Sequence, residues 1–193
     1  MKILNFSWPK TLGVLLFVTS LPAAANSVPS LQLENNEPQA SANLLVPENF
    51  SVPAHVELPN IQLQKVNPAY AEQDYQALMA ARLQIRQALG TDWPADNLTL
   101  AENKASLLND LSAFNQKTNF TYHLFAPESG RLIGCLYISQ SGISQSHAAV
   151  YYWLVPDVDQ SSMHLAIRSD IKKWIETRWP FKRVDYLFES TFA

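Results

Sequence analysis

The run His147-Ala-Ala-Val-Tyr-Tyr-Trp-Leu-Val155 sets the tightest limit on what this chain can fold into. From Ala148 onward it has no polar position, so an extended chain here shows apolar or aromatic side chains to both sides. Such a strand is stable only inside a sheet, with a packed layer over each face. Pro156 ends it. The rest of the chain must therefore supply flanking strands and helices for two faces.

The segments around it meet that demand. Ile61-Gln-Leu63-Gln alternates as a half-buried strand. Asn67-Pro68 turns the chain into a helix over 70–89, with Tyr75, Leu78, Met79, Leu83 and Leu89 on its apolar side and Gly90 as its stop. Trp93-Pro94 marks a connection. Thr99-Leu-Ala-Glu102 forms a capping box and opens a second helix carrying Leu107, Leu108, Leu111 and Phe114 at helical spacing. Asn119–Ala126 alternates through Phe120, Tyr122 and Leu124. Pro127-Glu-Ser-Gly130 makes a tight turn, and Arg131–Ser139 returns as a strand. After the 147–155 strand, a helix over 161–178 turns Ile167, Ile171, Trp174 and Ile175 inward, and Val184–Phe188 is the last strand. The order β-α-α-β-β-β-α-β is that of an α/β (α+β) fold: a mixed, mostly antiparallel sheet flanked by helices, with one crossover joining the last two strands.

The N-terminus reads as a leader. Lys2 and Lys10 precede the apolar run Thr11–Leu21, and Ala23-Ala-Ala25 supplies the small residues of a cleavage site. A bilayer span takes about 20 apolar residues, more than this run offers, so no stable membrane span is expected. Residues 1–25 are read as a signal peptide, and the product as exported, periplasmic or secreted. Loss of the leader removes two lysines and no acid, taking the formal charge from −3 to −5. An acidic balance lacks the basic face that nucleic-acid binding requires. Residues 26–60 hold five of the twelve prolines and one aromatic, Phe50. We read 26–46 as a disordered Pro/Asn/Ser-rich linker and 47–193 as the domain, with 47–60 an extended lead-in.

One cysteine, Cys135, excludes an internal disulfide. It alternates with apolar neighbours inside a strand, the pattern of a buried structural thiol. His55, His123, His147 and His164 are scattered and give no metal-ligand spacing, so no metal is expected.

In this order, Asp74-Tyr75-Gln-Ala77, Trp93-Pro94, Leu98-Thr99-Leu-Ala-Glu102-Asn103, Phe120-Thr-Tyr122, Ile133-Gly134-Cys135-Leu-Tyr137-Ile138, Tyr152-Trp153 and Trp179-Pro180-Phe181 resemble a short bacterial branch of the GNAT (Gcn5-related) N-acetyltransferase-like superfamily. The likeness spans roughly residues 47–190. It implies acyl transfer from acetyl-CoA to an amine. That reaction needs amides at a helix start for the pyrophosphate, a donor for the oxyanion, and groups that move a proton from the amine and return one to the thiolate.

The resemblance assigns the oxyanion to backbone N–H groups near Leu154 and Val155. It assigns the pyrophosphate to Gln160, Ser161, Ser162, Met163, His164 and Leu165. In the family this loop carries small residues where Met163 and Leu165 stand, and the side chains here crowd a phosphate. His164 offers a cationic donor in part compensation. The family fold continues past its fifth strand, whereas five residues follow Phe188 here. Tyr186 as acid and Glu189 as base are the titratable candidates at that edge. An exposed last strand would be covered by a homodimer or by residues 47–60. The alternative function is a non-catalytic periplasmic module that binds a small-molecule amine, a peptide or a protein in the same cleft.

Overall fold

A computed structural model describes residues 44–141 and 147–187. The expected leader, most of the expected linker and Glu189 lie outside these residues. The sheet has six strands in sequence order: β1 (His55–Leu58), β2 (Ile61–Lys65), β3 (Phe120–Phe125), β4 (Leu132–Gln140), β5 (His147–Leu154) and β6 (Arg183–Tyr186). Four antiparallel pairings run from β1 to β5, and β6 joins β5 in parallel. Between β2 and β3 lie a 3-10 turn at Pro68–Tyr70 and helices α1 (Ala71–Leu89) and α2 (Leu100–Asn115). The crossover from β5 to β6 holds a short α3 (Pro156–Asp159) and α4 (Met163–Arg178). The mixed, mostly antiparallel sheet with flanking helices is the expected class. The elements added to it are β1 and α3.

β1 lies in the lead-in. His55-Val-Glu-Leu58 alternates exposed and half-buried residues, and a two-residue turn at Pro59-Asn60 pairs it with β2. Asn60 fixes that turn from outside the sheet, since its backbone N–H and side-chain amide both donate to Asp170 on α4, at 3.0 and 2.9 Å. The lead-in therefore covers the β2 edge, at the far end of the sheet from β6. Packing reaches back to Val46, which is buried, and to Leu45, whose N–H donates to the Lys117 carbonyl at 2.8 Å.

Strand pairing fixes which helix covers which face. His123 and Cys135 are register partners, so they share a face, and Asp74 of α1 meets Cys135 there. Tyr122 points the other way and meets Trp174 of α4 edge-on, with centroids 5.6 Å apart. β5 is buried from Ala148 through Leu154, as its composition requires. All four inward residues expected on α4 are buried.

α1 departs from the expectation. Its buried face is Ala71, Asp74, Ala77, Leu78, Ala81 and Ile85, whereas Leu83 is 65 % exposed. The alanines let the helix axis approach the sheet, and a stripe chosen for bulk alone misses them. α2 buries Leu107 and Phe114 but exposes Leu108. The capping box is present: Glu102 N–H donates to Thr99 Oγ1 at 3.2 Å, and Thr99 N–H donates back to the Glu102 carboxylate at 2.8 Å. Gly90 ends α1 in the left-handed conformation at φ 64°. No helix of the described residues is long and apolar enough to cross a membrane.

Candidate active site

The parallel pairing of β5 with β6 ends at Val150 opposite Tyr186, closed by the Leu187 N–H donating to the Val150 carbonyl at 3.0 Å. β5 runs on to Leu154. Beside this overhang lies a cavity of about 240 Å³, lined by Tyr151–Leu154, by the end of α1 (Gln84, Ile85, Gln87, Ala88), and by Asp159 and His164. Backbone groups alternate along a strand. The Val155 N–H donates to the Ile133 carbonyl of β4 at 2.8 Å, so it is spent. The amide of Leu154 turns to the opposite side, toward the β6 edge, past the last described rung at Val150 and Tyr186. Of the two residues expected to hold an oxyanion, Leu154 therefore has its amide turned away from β4, and that of Val155 is engaged by β4.

The expected pyrophosphate loop is wound into local turns. The amide of Gln160 donates to the Pro156 carbonyl at 3.1 Å and that of Ser161 to the Val158 carbonyl at 3.1 Å. The amide of Met163 donates to Ser161 Oγ at 3.3 Å, and that of His164 to the Ser161 carbonyl at 3.2 Å. Ser162 begins α4 without capping it through its side chain. Met163 and Leu165 stand outward, 47 % and 68 % exposed. They do not plug the cavity. Four of the six assigned residues nonetheless have their amides engaged within the loop.

His164 turns inward instead of toward a phosphate. Its Nε2 lies 2.7 Å from the Tyr152 hydroxyl, and its Nδ1 lies 3.5 Å from Asp159 Oδ1. A neutral imidazole with its proton on Nδ1 satisfies both neighbours: it faces the carboxylate with N–H and accepts the phenol proton on Nε2. Burial pushes the Tyr152 phenol above its ordinary range, with the Arg168 charge opposing and Asp159 adding to the rise. The hydroxyl is thereby kept protonated, as an acid must be. Gln84 of α1 donates to Asp159 Oδ2 at 3.3 Å and ties the relay to the opposite wall. Tyr186, expected as the acid, sits on the last rung of the β5–β6 ladder with the Lys172 ammonium 5.2 Å from its ring centroid, and the described cavity lining does not include it.

The structure also assembles a second polar cluster, under α1. Asp74 Oδ1 accepts from the Cys135 thiol at 3.1 Å and lies 3.6 Å from His123 Nε2. Asp74 Oδ2 accepts from the Asn103 side-chain amide at 2.7 Å. All of these side chains are buried. Burial pushes the Cys135 thiol well up, and the nearby Asp74 carboxylate adds to it. Burial lowers the pKa of His123 against the opposing pull of Asp74. Asp110, half-buried on α2, is pushed up to about 7, by burial first and by the charge of Asp74 second, with a Thr121 hydrogen bond opposing. The structural reading of Cys135 and the scatter of the histidines did not anticipate this cluster. Its members come from α1, β3 and β4, and only the fold brings them together. One signal was legible: a carboxylate, Asp74, at helical spacing from Leu78, Ala81 and Ile85.

The sequence matches no protein-family model and no curated protein. Solved structures do match in fold. A GNAT-family acetyltransferase from Bacillus anthracis superposes with a TM-score of 0.53 at 7% identity, over 72% of this chain and 82% of its own. A Salmonella typhimurium acetyltransferase that modifies the N-terminal serine of ribosomal protein L7/L12 gives 0.52 at 12% identity, over 65% and 69%. The microcin C7 self-immunity acetyltransferase, solved with acetyl-CoA and AMP, gives 0.52 at 12% identity, also over 65% and 69%. Identities this low speak to architecture. The sheet, its parallel last pair and its helical layers have the fold of the GNAT acetyltransferases.

Proposed function

We propose that this chain transfers an acyl group from a thioester to an amine held beside the overhang of β5. The observation that carries the reading is the 2.7 Å contact between Tyr152 and His164, backed by Asp159, in the wall of the cavity. In this scheme the amine attacks the thioester carbonyl and the Leu154 amide faces the developing oxyanion. Tyr152 gives its proton to the leaving thiolate, and the proton that the amine sheds is taken up at the unprotonated His164 Nε2, which passes it to the phenolate and restores the hydroxyl. Acetyl-CoA is the donor that the structural neighbours suggest, one of them having been solved with it. The leader would place the reaction outside the cytoplasm.

A second reading rests on a specific observation: the loop amides at 160, 161, 163 and 164 are engaged locally. A pyrophosphate then meets few open donors. The cavity in that case serves a non-catalytic module that binds a small amine or a peptide. Calorimetric titration of the chain with acetyl-CoA separates the two. Micromolar binding, with turnover reduced about a hundredfold or more in Tyr152→Phe, supports transfer. No heat and no thermal shift at millimolar acetyl-CoA removes the CoA-dependent enzyme and leaves the binding module.

A further inference from the structure

His123 is fully buried, and neither of its ring nitrogens has a hydrogen-bond partner. An imidazole left this way forfeits the hydration of two polar atoms, so a neighbour that satisfies it has a large effect. A carboxylate and a thiol stand beside it: Asp74 Oδ1 is 3.6 Å from Nε2, and the Cys135 sulfur is 3.1 Å from that same oxygen. Nitrogen, oxygen and sulfur, one from each residue, all lie within 4.8 Å of one another.

We infer that Asp74, His123 and Cys135 form a buried binding site for a divalent transition-metal ion, zinc by ligand type. Three arguments carry this. The first is geometric. Zinc bonds of about 2.0–2.3 Å to O, N and S, arranged tetrahedrally, set ligand atoms about 3.3–3.6 Å apart. The oxygen-to-sulfur and oxygen-to-nitrogen separations are 3.1 and 3.6 Å and all three atoms lie within 4.8 Å of one another, so side-chain adjustment of a few tenths of an ångström to about 1 Å centres an ion.

The second argument is charge. A carboxylate and a thiolate bring two negative charges, and a neutral imidazole brings none. A divalent cation cancels them, so the loaded site is neutral in a place where net charge is expensive. The proton that the Cys135 thiol now donates toward Asp74 is released on binding. Third, the donors are held. Asn103 fixes the other carboxylate oxygen of Asp74 at 2.7 Å, leaving Oδ1 to face the cluster. His123 meets both Tyr70 and Phe125 edge-on, with centroids 5.8 and 6.3 Å away. The donors sit on one helix and two adjacent strands, which makes this a structural clamp between α1 and the sheet. The acyl-transfer cavity is lined by other residues, and the metal site does not depend on that reading.

Cobalt(II) reports on the site without ambiguity, because Cys135 is the sole thiol in the chain. The full chain is produced in minimal medium supplemented with Co²⁺ and purified under reducing conditions. The expected result is about one Co²⁺ per chain, a near-ultraviolet thiolate-to-cobalt charge-transfer band, and bleaching of that band by Zn²⁺. His123→Gln, checked for native circular dichroism, should lower retention of the ion at least about tenfold. A folded wild-type chain without the band, or a band unchanged in His123→Gln, overturns the proposal.

Discussion

Gly134 shows how tightly single residues are held in this sheet. A Cβ added there would meet the Trp153 carbonyl oxygen at 2.0 Å and the Leu154 Cα at 3.2 Å. Both are backbone atoms of β5 and cannot swing away. Gly134→Ala should cost about 3 kcal/mol or more of stability, read from urea unfolding. Asp110 makes a subtler demand. Its pKa is about 7 when folded, against 3.8 as the ordinary value, so between those pH values the folded state holds a proton that the unfolded chain has shed. Stability from this group is therefore greatest below pH 4, declines as pH rises toward 7, and levels off above. His123 works in the opposite sense, since its lowered pKa costs stability as pH falls below the ordinary histidine range. Comparison with Asp110→Asn cancels that contribution. The variant's advantage over wild type should grow from pH 4 to pH 7, to about 4 kcal/mol at most. A constant difference would show that Asp110 titrates normally.

At the scale of elements, periodicity found the strands and helices more surely than the faces they bury. α4 was legible because large β-branched and aromatic residues mark its inner stripe. α1 was not, because alanine sets its approach to the sheet and Leu83 points outward. The two assignments give opposite mutational outcomes. With Ala81 facing the sheet, Ala81→Leu should destabilise by about 1–3 kcal/mol through overpacking. Leu83→Gln should stay within about 0.5 kcal/mol. Thermal unfolding of the pair checks the face directly. β1 escaped notice for another reason: prolines at 53 and 59 bound a strand of four residues, and its pairing comes from the turn at Pro59-Asn60 that Asp170 holds. The site was legible in part. The overhang at Leu154 follows from a strand longer than its parallel neighbour. The Tyr152–His164 contact joins a strand to a helix across a turn that no spacing rule encodes.

For the whole molecule, the lead-in is a working part of the domain. Val46 is buried, Phe50 packs on Trp179 with centroids 5.5 Å apart, and the Tyr122 hydroxyl donates to the Pro53 carbonyl at 2.7 Å. Each fully buried apolar side chain is worth about 1.5–3 kcal/mol. Starting the chain at residue 61 should therefore lower the melting temperature by about 10 °C or more, measured by calorimetry. A tether without packing would leave it unchanged. The order of the sheet has a further consequence, in time. The described strands lie in the sheet in sequence order, so β6 is the last of them to leave the ribosome and the last that can pair. β6 reaches its place only after the helical crossover has been made. The rung it closes, Val150 with Tyr186, is the one that ends where the cavity begins. The ligand site is thus the last part of the molecule to be finished. A ligand that binds only the finished site would stabilise the folded chain in proportion to its occupancy.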